Sequence, residues 1–417
     1  MSARASNNIP PSLLRIWQQE EEASKAERAE QGRKADMTST RAIVCRDTID
    51  NGGWEMEDVQ VREPGDGELL VEMAATGVCH TDALIGSLPD GAAPIAFYPR
   101  VLGHEGSGYV KKVGKGVKVA QPGDPVLLSF TFCTQCELCK AGHHSHCEIF
   151  NELNFGPHKV FSRASKSGEQ ADIDGAFFGQ SSFAKLSIVK ECSVVNAKDL
   201  VKSKQELQLF APLGCGIQTG TGTVLNAAKA TKEDVILILG LGGVGLSAVM
   251  GAKIAGCRKI IGLDRVESRL QLAKELGATD VIDGSKLGDK SLVDTIKDVA
   301  GSGGPAIAVD TTGAPPLIKA GLESIQNRGK YVQVGTAPFE FNLEVNMMSF
   351  MMSGKQIIGA IEGQAYPPEF VPKMVQWYRE GRFPIDKLMK LMPAEDFKQA
   401  LHEMHQGSTI KPILTWS

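Results

Sequence analysis

Residues 235–264 constrain the fold more than any other stretch. Val235-Ile236-Leu237-Ile238-Leu239 is an unbroken apolar run, the pattern of a strand covered on both faces. It passes straight into Gly240-Leu241-Gly242-Gly243-Val244-Gly245, and a helical pattern then continues through Ala255. A second run, residues 259–263, ends on Asp264. A G-x-G-x-x-G sequence alone is weak. Between a strand and a helix, and about 20 residues ahead of an acid, it is a dinucleotide-binding fingerprint. Gly240, Gly242, Gly243 and Gly245, with Val244 among them, let the backbone approach a pyrophosphate. The helix N-terminus adds unpaired N–H groups and positive potential. Asp264 can accept hydrogen bonds from ribose hydroxyls and repels a 2′-phosphate, which favours NAD. Arg265 follows it and can accommodate that phosphate, so NADP stays open as the alternative.

The alternation continues downstream. A helix over residues 267–276 ends at Gly277, a good C-cap. Further strands are expected at 280–282, 307–310, 331–334 and 356–358, and strand–helix repetition of this kind predicts a doubly wound parallel sheet. Met347, Met348, Met351 and Met352 read as buried packing near a subunit contact. Beyond about Ala360 the pattern turns irregular.

Upstream the period differs. From Arg41 to about Ser129 short apolar runs (69–73, 107–113, 125–128) alternate with Gly and Pro breaks, which favours a barrel-like β domain. A chain of 417 residues is too long for one core, so two domains are expected. Residues 1–36 stand apart as a polar, helix-prone extension, read as a disordered tail. Glu20, Glu21 and Glu22 in its middle argue against a mitochondrial presequence. The net charge of −4 argues against a nucleic-acid surface, and no apolar run reaches the ~18 residues of a membrane span.

Nine cysteines could belong to a secreted protein, but their spacing reads as metal ligation in a cytoplasmic one. Cys133-x-x-Cys136-x-x-Cys139-x7-Cys147 has the form of a closed, tetrahedral four-cysteine zinc site with no open position. Free or disulfide-bonded thiols are the alternative, though bridges between residues three apart would be strained. His143, His144 and His146 lie in the same loop, surplus to a complete ligand set.

A second constellation is spread over three segments. Cys79 lies in Gly77-Val78-Cys79-His80-Thr81-Asp82, His104 in Gly103-His104-Glu105-Gly106, and Cys215 in Pro212-Leu213-Gly214-Cys215-Gly216. A Cys–His–Cys set suits Zn²⁺, and three protein ligands leave the fourth position free for water or substrate.

These residues carry a family resemblance. From about Arg41 to Thr415 the chain resembles the zinc-dependent medium-chain alcohol dehydrogenases. Residues 213–220 (Leu-Gly-Cys-Gly-Ile-Gln-Thr-Gly) are worded most like the aryl, benzyl-type branch. The resemblance implies an α/β architecture: a GroES-like β-rich catalytic domain over residues 37–216 and 360–417, with the four-cysteine lobe at about 130–150, and a Rossmann NAD-binding domain over 217–359. It implies two Zn²⁺ per chain and a homodimer or homotetramer. Cys79, His104 and Cys215 match the catalytic zinc ligands. Thr81 matches the hydroxyl that hands on the substrate proton, Asp82 a carboxylate behind the ligands, and Glu105 a carboxylate able to swap onto the metal. His80, Thr219, Arg269 and Lys411 match cofactor contacts. The activity implied is reversible hydride transfer between a primary aryl or allylic alcohol and NAD, with an aldehyde as the other substrate. Aldehyde reduction in a biosynthetic pathway, oxidation of aliphatic or glutathione-linked alcohols, and a non-catalytic binding protein are the alternatives. One position departs from the family: many relatives carry a His three residues beyond Thr81, where this chain has Leu84.

Overall fold

A computed structural model of the protein describes residues 37–164, 170–301 and 303–417. The expected tail, residues 1–36, lies outside the described residues.

Three sheets organise the chain. The strands Thr38–Cys45, Trp54–Val61, Lys159–Ala164, Gln170–Asp174 and Arg100–Val101 close a small barrel. A second sheet runs in the order Val194–Asn196, Pro125–Leu128, Gly106–Val113, Glu68–Gly77, Lys411–Thr415, Met389–Pro393, with Leu186–Lys190 also paired to Glu68–Gly77. The final strand therefore returns to the N-terminal half: Ile413 lies opposite Gly77 and Thr415 opposite Ala75. Short strands and many turns hide such long-range pairing from local patterns.

The third sheet is parallel throughout, in the order Asp280–Asp283, Lys259–Asp264, Val235–Leu239, Ile307–Asp310, Lys330–Gln333, Gln356–Gly359. Every residue of its central strand Val235–Leu239 is buried, as an apolar run covered on both faces requires. The strand order reverses beside that strand, the switch point at which doubly wound sheets bind ligands. Helix Gly243–Ala255 follows it and ends on Gly256 at φ +75°. Helix Glu267–Leu276 ends on Gly277, where the sequence places it. Thr38–Ser417 form one compact unit. No helix among the described residues is long and apolar enough to cross a membrane.

Two expectations need correction. The four methionines are not buried in the chain: they lie on helix Met347–Ser353, 63–75% exposed. Apolar character alone does not distinguish a core from an uncovered face. Beyond Ala360 the chain is also less irregular than its pattern, for Pro367–Arg379 is a 13-residue helix. Pro367 and Pro368 occupy its first turn, where missing N–H groups cost nothing, and Pro372 lies inside it. Three prolines mask an apolar face of Phe370, Val371, Met374 and Val375 that is buried.

Candidate metal and cofactor site

Cys79 caps the short helix His80–Ile85, whose third residue, Asp82, is fully buried. The Asp82 carboxylate ties two ligand segments together. Its Oδ2 accepts from the Cys79 N–H at 3.0 Å. Its Oδ1 accepts from the Gly103 N–H at 3.0 Å and lies 2.9 Å from His104 Nδ1. The imidazole is stacked on Phe178, 4.5 Å between ring centres, and meets Phe177 edge-on at 5.4 Å. Fixed on both faces and at Nδ1, it leaves Nε2 buried with no hydrogen-bond partner.

Cys215 arrives from far along the chain, between the 3₁₀ turn Ala211–Gly214 and helix Gly216–Gly222. A Cβ on Gly214 would lie 1.7 Å from Leu128 O, so only glycine brings this turn so close to the Pro125–Leu128 strand. Gln218 Nε2 donates to Gly214 O at 2.7 Å, Ser129 Oγ at 2.9 Å and Glu362 Oε2 at 2.9 Å, bracing the turn from behind.

The ligand atoms of Cys79, His104, Glu105 and Cys215 lie within 4.8 Å of one another, and all four residues are buried. Their electrostatics fit a cation. A hydrogen bond from Cys215 holds the Cys79 thiol well below its ordinary range against the cost of burial, helped by Lys411 and His104. The same bond and burial push Cys215 up. Burial pulls His104 down, but the charges of Asp82 and Cys79 outweigh it and its pKa rises. Two thiols sharing a proton beside an orphaned imidazole nitrogen are the donor set that zinc takes. Glu105 is raised by burial although Lys411 Nζ reaches it at 2.8 and 2.9 Å.

The Sγ atoms of Cys133, Cys136, Cys139 and Cys147 form a second cluster, all within 4.8 Å of one another. Backbone N–H groups of Gln135 and Cys136 point at Cys133 Sγ, that of Cys139 at Cys136 Sγ, and that of Cys133 at Cys147 Sγ, at 3.3–3.4 Å. Such donors stabilise thiolate charge: backbone N–H groups at Glu148 and Cys139 draw the Cys136 thiol down to about 6. All nine cysteines are free thiols, which removes the disulfide alternative.

The dinucleotide turn is built as its glycines require. Gly240 has φ +86°, and a Cβ on Gly245 would lie 1.8 Å from Gly240 O. A Cβ on Gly242 would meet nothing within 4 Å, so the space over the helix start is open to a phosphate. Asp264 Oδ2 accepts from Leu241 N at 2.7 Å and Oδ1 from Arg265 and Val266 N at 2.8 and 3.0 Å, so this carboxylate also shapes the turn. Arg269 Nη1 lies 3.9 Å from it.

Helix Gly216–Gly222 links the two sites. A Cβ on Gly220 would lie 2.0 Å from Val244 O, so Cys215 and the glycine turn sit on helices in backbone contact. Thr219 is buried on that helix, Thr81 is half-buried and His80 is exposed. The Lys411 ammonium is spent on Val78 O and Glu105, while its stem lies 3.5 Å from the place of a Gly243 Cβ. Leu84 faces a different feature, an apolar cavity of about 500 Å³ shared with Leu88, Pro315, Ala337, Pro338 and Phe339.

The sequence did not single out Glu362, Gln218, Phe177 or Phe178. Glu362 is buried beside Cys215 and pushed up to about 7, chiefly by desolvation. Gln218 lies in the stretch 213–220 but no role could be read for it there, and no local motif marks the other three; only folding brings them to the ligands.

The parallel sheet, the thiol–imidazole pocket and the open glycine turn come together in one compact unit. Comparison gives the family. Residues 65–199 match the alcohol dehydrogenase GroES-like domain and residues 243–380 the zinc-binding dehydrogenase domain. A geraniol dehydrogenase of Castellaniella defragrans is 36% identical over 91% of this chain and 99% of its own length. The crystal structure of benzyl alcohol dehydrogenase from Acinetobacter calcoaceticus superposes with a TM-score of 0.81 at 36% identity, covering 91% of this chain and 100% of that one. An alcohol dehydrogenase zinc-binding domain protein from Burkholderia ambifaria gives 0.82 at 36%, covering 91% and 99%. The chain belongs to the zinc-dependent medium-chain alcohol dehydrogenases, and its fold is their GroES-like domain joined to a Rossmann cofactor domain. It is an oxidoreductase acting on alcohols, in a family that uses zinc and NAD(H).

Proposed function

We propose that the protein interconverts a primary aryl or allylic alcohol and its aldehyde, with NAD⁺ as hydride acceptor. The observation that carries this reading is the orphaned His104 Nε2, buried within 4.8 Å of the Cys79, Cys215 and Glu105 ligand atoms. Cys79, His104 and Cys215 would hold one zinc and Cys133, Cys136, Cys139 and Cys147 another, two per chain. Zinc when bound supplies Lewis-acid polarisation of the alcohol oxygen, and the nicotinamide takes the hydride.

The chain's own residues do the rest. Thr81 Oγ1 takes the substrate proton outward. Leu84 offers no acceptor for a relay, so a proton handed on by Thr81 would pass to water. Asp82 holds the ligands in place, and Glu105 is the carboxylate poised to enter the ligand set. Gly240, Gly242, Gly243, Val244 and Gly245 would hold the pyrophosphate, with His80 and the Lys411 stem as further contacts. Asp264 and Arg269 would hold the adenosine ribose, and Thr219 would be a further cofactor contact. Catalytic residues 37–216 and 360–417 and cofactor residues 217–359 are the corresponding domains, a division supported by the pairing of Lys411–Thr415 with Glu68–Gly77.

The substrate class is supported by relatives named for geraniol and benzyl alcohol. A homodimer is supported by the exposed methionines and by Gln356–Gly359, an edge strand with Ile357 44% exposed. Cysteine spacing set for metal supports a cytoplasmic setting.

Absorbance of NADH during a screen of benzyl, allylic and short aliphatic alcohols, with NAD⁺ and NADP⁺ in parallel, tests the reaction. Metal analysis tests the site: two zinc ions per chain are expected. One zinc, lost on Cys139→Ser, together with no turnover, would leave only a non-catalytic relative.

A further inference from the structure

A short strap, residues 360–366, joins the parallel sheet to helix Pro367–Arg379. Its backbone is bent hard: Glu362, Gly363 and Gln364 have φ of +51°, +64° and +47° in succession. Two non-glycine residues held in the left-handed region mark a conformation that its surroundings impose.

Those surroundings lie at both ends. A Cβ on Gly363 would fall 2.3 Å from Gln218 O and 2.9 Å from Gly222 Cα, so the strap is pressed against the helix that follows Cys215. Asn226 Nδ2 donates to Gly363 O at 3.0 Å. Glu362, buried and in no ion pair among the described residues, accepts from Gln218 Nε2, the same nitrogen that bonds Gly214 O, one residue before the ligand. At the other end the Tyr366 ring stacks on His144, 4.4 Å between centres and 22° from parallel, and meets Phe132 edge-on at 6.2 Å. His144 lies inside the four-cysteine loop and Phe132 immediately precedes Cys133.

We propose that the strap is the mechanical link by which the four-cysteine lobe sets the position of Cys215, with Tyr366 and Glu362 as its positioning residues. The lobe is rigid once its four thiols are held, and the aromatic stack transmits that rigidity to residue 366. Glu362 and Gly363 then pin Gln218 and the Gly214 carbonyl. A buried carboxylate with no cation is costly, and it is retained where its acceptor oxygen fixes a second group. This inference rests on the zinc reading above.

The test uses the full-length, zinc-loaded enzyme and reads metal release to a chromogenic chelator, together with the visible spectrum after cobalt replaces the zinc at Cys79, His104 and Cys215. Tyr366→Ala and His144→Ala, on opposite sides of the stack, are expected to speed release of that metal by about tenfold or more, the scale of lost outer-shell support. Both should shift the cobalt band. Tyr366→Phe, which keeps the ring, should restore wild-type release. Glu362→Leu should act like Tyr366→Ala, and Glu362→Gln, which keeps an acceptor, should be milder; His144→Ala, on the lobe side of the stack, decides the matter if Tyr366→Ala does not fold. Wild-type release and spectrum in His144→Ala and Glu362→Leu would overturn the link while leaving the two-zinc reading intact. A wild-type protein that releases only one zinc would instead overturn the reading on which it rests.

Discussion

Asp82 Oδ1 lies 2.9 Å from His104 Nδ1, and neither side chain is exposed. The same carboxylate accepts from the N–H of Cys79, so one buried acid orients ligands from two separate segments. It also fixes the histidine tautomer by accepting a hydrogen bond from Nδ1–H, which leaves Nε2 as the electron-pair donor.

Asp82→Asn is therefore expected to weaken zinc binding by about 10- to 100-fold with the fold retained. Competition against a chelator of known affinity measures it. Unchanged affinity would mean that Phe177 and Phe178 alone orient the ring.

Glu105 and Lys411 form a buried ion pair in which the lysine has no second carboxylate. Lys411→Met leaves Glu105 unpaired and should cost roughly 3–5 kcal/mol in urea unfolding. Adding Glu105→Gln to it should recover most of that loss, because no uncompensated charge remains.

Asp264 accepts three backbone N–H bonds around the glycine turn. Asp264→Ala should raise the KM for NAD⁺ by about 10- to 100-fold, the equivalent of ~1–3 kcal/mol for unsatisfied donors. It should also lower the preference over NADP⁺, read as the ratio of kcat/KM for the two cofactors. A raised KM with an unchanged ratio would confine the residue to shaping the turn.

Leu84, three residues beyond Thr81, lines an apolar cavity and carries no titratable group that could extend a proton route. Leu84→His introduces a group that titrates near neutrality. The pH profile of kcat should change between about pH 6 and 8, and an identical profile would place the proton route elsewhere.

Glu68 gives a pH prediction for stability. Burial pushes its carboxyl up, but hydrogen bonds and charge from Arg62 and Lys190 outweigh that and hold its pKa at about 2, below the ordinary 4.5. A folded-state pKa below the unfolded one adds stability that is fully present above about pH 4.5 and is lost as pH falls toward 2. The full effect is ~3 kcal/mol at most, from ~1.36 kcal/mol per unit. Glu68→Gln should flatten the fall of unfolding free energy with acid over that window, and an equally steep fall would assign it to other carboxylates.

Elements whose cause is local were legible in the chain. The run Val235–Leu239, the glycine turn and Asp264 appear where their spacing puts them, because strand burial, a positive φ at Gly240 and a helix N-terminus need only neighbouring residues. The four-cysteine cluster closes within one loop for the same reason. Cys79, His104 and Cys215 could be named as ligand types, but no spacing rule says that residues 111 apart share a hydrogen bond, as Gly216 N and Glu105 Oε1 do.

Tertiary structure alone decided what stands behind those ligands. Glu362, Phe177 and Phe178 carry no motif, Gln218 shows no role within its own, and what they do comes from long-range packing that closes loops of many tens of residues and more. It also decided which apolar residues stay uncovered: Met347 and its neighbours look like core in the sequence and lie on the surface of the chain. A residue's chemistry is written in its side chain, whereas its partners are set by the fold that brings distant segments together.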